Sequence, residues 1–284
     1  MKLENFTWFL EKQSCLITMI NNLSPKSEVH AGQPVKITEL VVPSVVKNGS
    51  VDSVVLDCVY EFDVSNLEGL VVTWYFEDLH RPVYQWIPPN KPQDLGKFKD
   101  RLDLNYTASS DPNEKYRALR ILNPTTDLHG EYSCRVSTFD AEDARSATMI
   151  VYAPATSFNF SHSKPSMDSV NVSCTAGGIY PRPTLSIYRY PNKRNRSEYK
   201  LENIKWTEER TQNGAYEISL SSLVEDQSLR QESMFECELL IPGTGYILKR
   251  KMVYFHTSAR PVLVHLASKL EVGMQSYFPP GGVR

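Results

Sequence analysis

No run in the 284-residue chain approaches the roughly 18 apolar residues of a bilayer-spanning helix, so no segment of it is expected to cross a membrane. Neither sign of charge is in excess: Lys and Arg number 31, Asp and Glu 33, for a net charge of −2. That balance supplies no field to recruit nucleic acid. There is no Cys-x-x-Cys, and His30, His80, His129, His162, His256 and His265 are scattered. Zinc is therefore not expected, and nothing implies another metal or a cofactor. Gly-x-Ser-x-Gly, His-Glu-x-x-His and a phosphate-gripping glycine loop are all missing. No catalytic residue can be assigned, and an enzyme is not the expected class.

One stretch organises what remains: Asp127-Leu128-His129-Gly130-Glu131-Tyr132-Ser133-Cys134. Asp127 is short and bonds its own backbone in turns. Gly130 permits a positive φ where the chain reverses. Tyr132 precedes Cys134 by two residues, the spacing of a tyrosine corner, whose hydroxyl returns to the upstream backbone. Cys58 lies upstream, with Trp74 between the two cysteines. The constellation resembles the variable-type immunoglobulin domain. That template pairs Cys58 with Cys134 and packs Trp74 on the bridge. It also puts a basic residue opposite the corner aspartate, so an Arg101–Asp127 ion pair is expected. The chain departs from the template in one respect: two residues, not one, separate Asp127 from Gly130.

Period-2 alternation and turn residues place the strands. In the template's letters, A covers residues 33–46, broken at Pro43 with a bulge near Thr38-Glu39. B is Val51–Tyr60, C is Leu70–Phe76, C′ is Arg81–Ile87, D is Arg101–Tyr106 and E is Tyr116–Leu122. F runs through Val136 and G through Ala147–Val151. Tyr152-Ala153-Pro154-Ala155 is a short, stiff boundary. A second sandwich follows, with B at Val170–Cys174, C at Leu185–Tyr190, E at Tyr216–Leu220, F at Glu232–Leu240 and G at Tyr246–Phe255. Its likeness to the template implies a Cys174–Cys237 bridge. Ile187 stands where tryptophan is usual, and Phe235 takes the corner tyrosine position.

The expected fold is all-β: two tandem immunoglobulin-like β-sandwiches with irregular N- and C-terminal tails. Residues 1–32 read as a leader-like or disordered segment, 33–152 as a variable-type domain, 154–256 as a constant-type domain and 257–284 as a tail. Two disulfides imply an oxidising compartment; Cys15 is left over. Asn-x-Ser/Thr sequons at Asn48, Asn105, Asn159, Asn171 and Asn195, with two more at Asn5 and Asn22, agree with a secreted or cell-surface glycoprotein.

Variable-plus-constant tandems are similar to butyrophilins, nectins, costimulatory ligands and the arthropod beaten-path family of neuronal recognition proteins. Val72-Thr73-Trp74-Tyr75, followed by Arg81-Pro82-Val83-Tyr84-Gln85-Trp86-Ile87-Pro88, most resembles beaten-path. That resemblance implies recognition of an immunoglobulin-type, sidestep-like receptor through the C–C′–F–G face, in axon guidance. A butyrophilin- or nectin-like ligand and a structural matrix spacer are the alternatives. Residue alternation reaches the same face. With Trp74 and Cys134 inward, Thr73, Tyr75 and Arg135 point outward. In C′ either Tyr84 and Trp86 or Val83 and Gln85 project. The candidate partner-binding residues are Thr73, Tyr75, Tyr84, Trp86 and Arg135, because Tyr, Trp and Arg dominate interface hot spots. A second candidate is an anionic-polysaccharide site of the heparan sulfate kind. It would draw on Lys193, Arg194, Arg196, Lys200, Lys249, Arg250 and Lys251, although interleaved glutamates favour plain solvated charge.

Overall fold

A computed structural model describes residues 35–62, 68–190 and 199–256. The expectations for residues 1–32 and 257–284, for Cys15 and for Asn195, Lys193, Arg194 and Arg196 lie outside the described residues. The first sandwich holds β1 (Lys36–Val41), β2 (Val45–Lys47), β3 (Ser53–Glu61), β4 (Val71–Phe76), β5 (Pro82–Trp86), β6 (Gln93–Asp94), β7 (Leu119–Leu122), β8 (Gly130–Ser137) and β9 (Glu142–Tyr152). One sheet runs β1-β3-β7 and the other β2-β9-β8-β4-β5-β6. The chain changes sheets at Pro43, which lacks an N–H to donate to a ladder. Beyond it, β2 pairs in parallel with β9. The register of β1 on β3 slips between Ile37 and Glu39, where alternation along the sequence breaks phase. On β3, Val54, Leu56, Cys58 and Tyr60 face the core in strict alternation.

Arg101–Tyr106 is not a strand. Leu102 makes only an isolated bridge to Ile121, and the Asp103 side chain accepts the Asn105 N–H at 3.1 Å. That side-chain bond offers the backbone an alternative to the ladder. The E strand is also shorter than expected, because Arg117 N–H turns back to the Glu114 carbonyl at 3.2 Å.

The second sandwich holds β10 (Ser157–Ser166), β11 (Ser169–Ile179), β12 (Thr184–Tyr190), β13 (Tyr199–Lys200), β14 (Ile204–Arg210), β15 (Tyr216–Glu225), β16 (Glu232–Ile241) and β17 (Tyr246–Phe255). Its sheets run β10-β11-β15-β14 and β13-β12-β16-β17. Strands β10 and β14 carry no clean apolar alternation and are not apparent from the residues.

Each sandwich has its own core and its own bridge, Cys58–Cys134 and Cys174–Cys237. Each bridge closes a long loop in the unfolded chain, an effect worth about 4 kcal/mol. Trp74 lies opposite Cys134 in register, and its indole N–H reaches the Arg117 carbonyl at 3.1 Å. In the second sandwich Ile187 lies opposite Cys237. Across the junction, Ala153 and Tyr180 exchange backbone hydrogen bonds of 2.8 and 3.1 Å. The Tyr180 ring meets the His129 ring edge-on.

A candidate recognition face on the first sandwich

The second sheet of the first sandwich turns its outer side to solvent. Pairing sets the rows. Thr73 sits between Gln85 and Arg135, and Arg135 adjoins Ala144. One row on, Tyr75 adjoins Ser133 and Ser133 adjoins Ser146. The two serine hydroxyls lie 2.7 Å apart. The Arg135 guanidinium stands over the Tyr75 ring, 5.3 Å from its centroid. A cation over an aromatic face is attracted by the ring quadrupole. The result is a set of small side chains, with Ser133 only 4% exposed, crossed by one Arg–Tyr ridge. Such a face has few charges to desolvate, and its ridge is made of hot-spot residue types.

The sequence-derived candidates divide. Tyr75 and Arg135 are half-buried on the outer face. Thr73 also faces outward in register, but it is only 6% exposed. Tyr84 and Trp86 are not on this face. They are 2% and 1% exposed, and each satisfies its polar atom internally. The Tyr84 hydroxyl donates to the Tyr116 carbonyl at 2.7 Å, and the Trp86 indole N–H donates to the Asn90 carbonyl at 3.0 Å. Burial pushes the Tyr84 phenol pKa up. An aromatic with a polar handle suits a core position when that handle finds a partner. Trp86 is paired with Val72 and Tyr84 with Trp74, both core residues, so regular register turns the two aromatics inward. Gln85, half-buried, is the C′ residue aligned with the outer row.

Phe139 was not flagged by the residues. It sits in the β8–β9 turn and is 78% exposed. Its N–H reaches the Glu68 carbonyl at 3.0 Å, and its ring lies over Gly69, where an added Cβ would fall 2.4 Å from Cδ1. Gly69 therefore lets the turn dock against the chain entering β4. A lone phenylalanine in a polar turn has no periodicity to betray it.

The corner below the face is tied by ion pairs. Arg101 Nη1 lies 2.7 Å from Asp127 Oδ2, and Nη2 reaches the Thr125 hydroxyl at 2.8 Å. Burial opposes ionisation of Asp127, but hydrogen bonds from Arg101 and Thr125 and the charges of Arg101 and Lys97 outweigh it, holding its pKa at about 2. The Tyr132 hydroxyl donates to the Leu128 carbonyl at 2.8 Å. Gly130 is needed for close approach: a Cβ there would lie 2.0 Å from Glu77 Oε1, which accepts the Glu131 N–H. The reversal itself is made by a single 3₁₀ turn, Thr126–Leu128.

Of the basic cluster of the second sandwich, Lys249, Arg250 and Lys251 are engaged. Lys249 lies 2.6 Å from Glu238 and 3.3 Å from Glu236, and Lys251 lies 3.0 Å from Glu236. Arg250 stands over the Phe158 ring. Among the described residues no group of three His, Cys, Asp or Glu side chains is placed to hold a metal, and no helix is long and apolar enough to cross a membrane.

Comparison with solved structures agrees with this architecture. Bovine butyrophilin superposes over 80% of this chain and 100% of its own, with a TM-score of 0.59 at 15% identity. The fold is immunoglobulin-like. Other immunoglobulin-type structures match more loosely. The extracellular portion of mouse CD200RLa covers 75% of this chain and 99% of its own at 13% identity and a TM-score of 0.42. The amphioxus IgVJ-C2 molecule covers the same shares at 14% identity and 0.42. No protein-family model and no curated protein sequence matches the chain. The likeness shown is one of fold and establishes no family, beaten-path included.

Proposed function

We propose that this is an extracellular recognition protein that binds an immunoglobulin-type cell-surface receptor through the outer face of β4, β5, β8 and β9. The observation that carries the reading is the Arg135–Tyr75 ridge within a field of Thr, Ser, Ala and Gln. Two further observations support it. None of the sequons falls on β4, β5, β8 or β9, so these strands carry no glycan acceptor. Phe139 adds an exposed apolar ring at one end of the same sheet. The two disulfides fit an oxidising, extracellular location. The beaten-path resemblance narrows the partner to a sidestep-like receptor and the setting to axon guidance. The division into a variable-type unit over 33–152 and a constant-type unit over 154–256 belongs to the same proposal.

The test is a screen of the purified chain against cell-surface ectodomains, repeated with Tyr75→Ala and Arg135→Ala. A selective partner whose affinity falls by at least about tenfold in either variant, a loss of about 1.4 kcal/mol, is expected. Unaltered binding by folded variants rejects the face. The absence of any selective partner points to a matrix spacer.

A further inference from the structure

The middle of the outer face of the β10-β11-β15-β14 sheet is rich in hydroxyls. Register sets out three rows across it. The first is Asn159, Thr175, Ser219 and Thr207; the second is Ser161, Ser173, Ser221 and Lys205; the third is Ser163, Asn171 and Leu223. Ten of these eleven side chains are hydroxyls, amides or the lone Lys205, and Leu223 is the exception. It is 59% exposed and directly opposite Asn171. Opposed side chains on one sheet face have Cβ atoms about 5 Å apart.

Asn159-Phe160-Ser161 and Asn171-Val172-Ser173 are both sequons, and both lie within strands of this sheet. An extended strand points residues i and i+2 to one side. Each acceptor asparagine and its sequon serine therefore share the outer face, while Phe160 and Val172 point toward the core side. Asn159 aligns with Thr175 and Asn171 with Ser163, four residues apart, so the two acceptors stand about 13 Å apart along the strands and one strand spacing apart across them. These three rows, in which Lys205 is the one charge, offer hydrogen bonds to sugar hydroxyls; beyond them the same face continues to Glu209 and Glu217 at one end and Glu225 at the other. The one exposed apolar side chain beside Asn171 matches the C–H face of the first sugar ring.

We propose that this face is a carbohydrate-covered surface, with N-linked glycans on Asn159 and Asn171 lying over the serine–threonine rows and the Asn171 glycan covering Leu223. Protein contacts are thereby directed away from this sheet. The inference rests on the extracellular reading above but does not depend on the recognition face of the first sandwich.

The experiment uses the full chain expressed through a secretory host. Peptide-N-glycosidase F in heavy-oxygen water marks every occupied asparagine by mass. Hydroxyl-radical footprinting then follows Leu223 before and after the sugars are removed from the folded protein, and in Asn171→Gln. Occupancy at Asn159 and Asn171, with Leu223 labelling that rises when the glycan is absent, is the expected result. Sugar on Asn48 and Asn105 but not on Asn159 and Asn171 overturns the proposal and leaves the extracellular reading standing. Occupied sites with unchanged Leu223 labelling overturn the covering. No sugar on any sequon overturns the proposal; disulfide mapping of the same material then decides the compartment separately.

Discussion

Tyr132 and Phe235 hold equivalent places, two residues before the second cysteine of each sandwich, and both are fully buried. Only Tyr132 carries a hydroxyl, and burial raises its pKa. Tyr132→Phe should keep the packing but strand the buried Leu128 carbonyl, at a cost of about 1–2 kcal/mol in urea unfolding of the first sandwich. Asp127 gives a pH signature at the same corner. Its folded pKa is depressed, so its contribution is present above the unfolded value of about 3.9 and is lost as pH falls toward about 2. Urea midpoints measured down that range should decline, and Arg101→Ala should flatten the decline. The arginine itself is worth about 1 kcal/mol, because the pair is partly exposed. The residues of this corner were legible because a short motif holds them together. Phe139 and Leu223 were not, since exposure of a single apolar residue is set by what does not pack on it.

Among the elements, β16 and β17 show how an outer sheet face can carry a nearly buried charge. Glu236 is 2% exposed and is flanked by Lys249 and Lys251. Burial opposes its ionisation, yet hydrogen bonds from Lys251 and Lys249 outweigh this and lower its pKa. Glu236→Gln should destabilise the second sandwich by about 1–2 kcal/mol, because both lysines are half-exposed and can rehydrate. Thermal unfolding at neutral pH checks this, and the difference from wild type should shrink as pH falls below the glutamate range. Strands β3, β4 and β8 were readable from their alternation. β10 and β14 were not: they are edge strands, exposed along most of their length, and take their conformation from the ladders of β11 and β15. Arg101–Tyr106 misled in the opposite direction, because apolar alternation there was defeated by a local aspartate turn.

For the whole molecule, the junction is made by backbone pairing and ring contacts, the Tyr152–Tyr246 pair among them. Ala153 and Tyr180 pair through their backbones, His129 meets the Tyr180 ring, and the Tyr246 hydroxyl accepts the Ala155 N–H at 3.2 Å. Tyr180→Ala removes the ring contact and leaves both cores intact. Small-angle scattering should then show a broader distribution of distances between the two sandwiches. The melting of each should change by no more than about 0.5 kcal/mol. Unchanged scattering would mean that the ring contact does not set the arrangement and that the groups left in place do, the Ala153–Tyr180 backbone pair and the Ala155–Tyr246 hydrogen bond.

Residues alone dictated that the chain forms two β-sandwiches, where each sulfur bridge closes and which way Trp74 and Cys134 point. The strands and their facing follow from alternation and corner chemistry, which are local in sequence; the bridges, between cysteines 76 and 63 residues apart, follow from the likeness to the immunoglobulin template. Tertiary structure decided that Tyr84 and Trp86 are core, that Phe139 is exposed and that two sequons share one face. The first and last depend on register between paired strands, where a slip of one residue moves every side chain to the other side of the sheet, and the second on what packs over a turn.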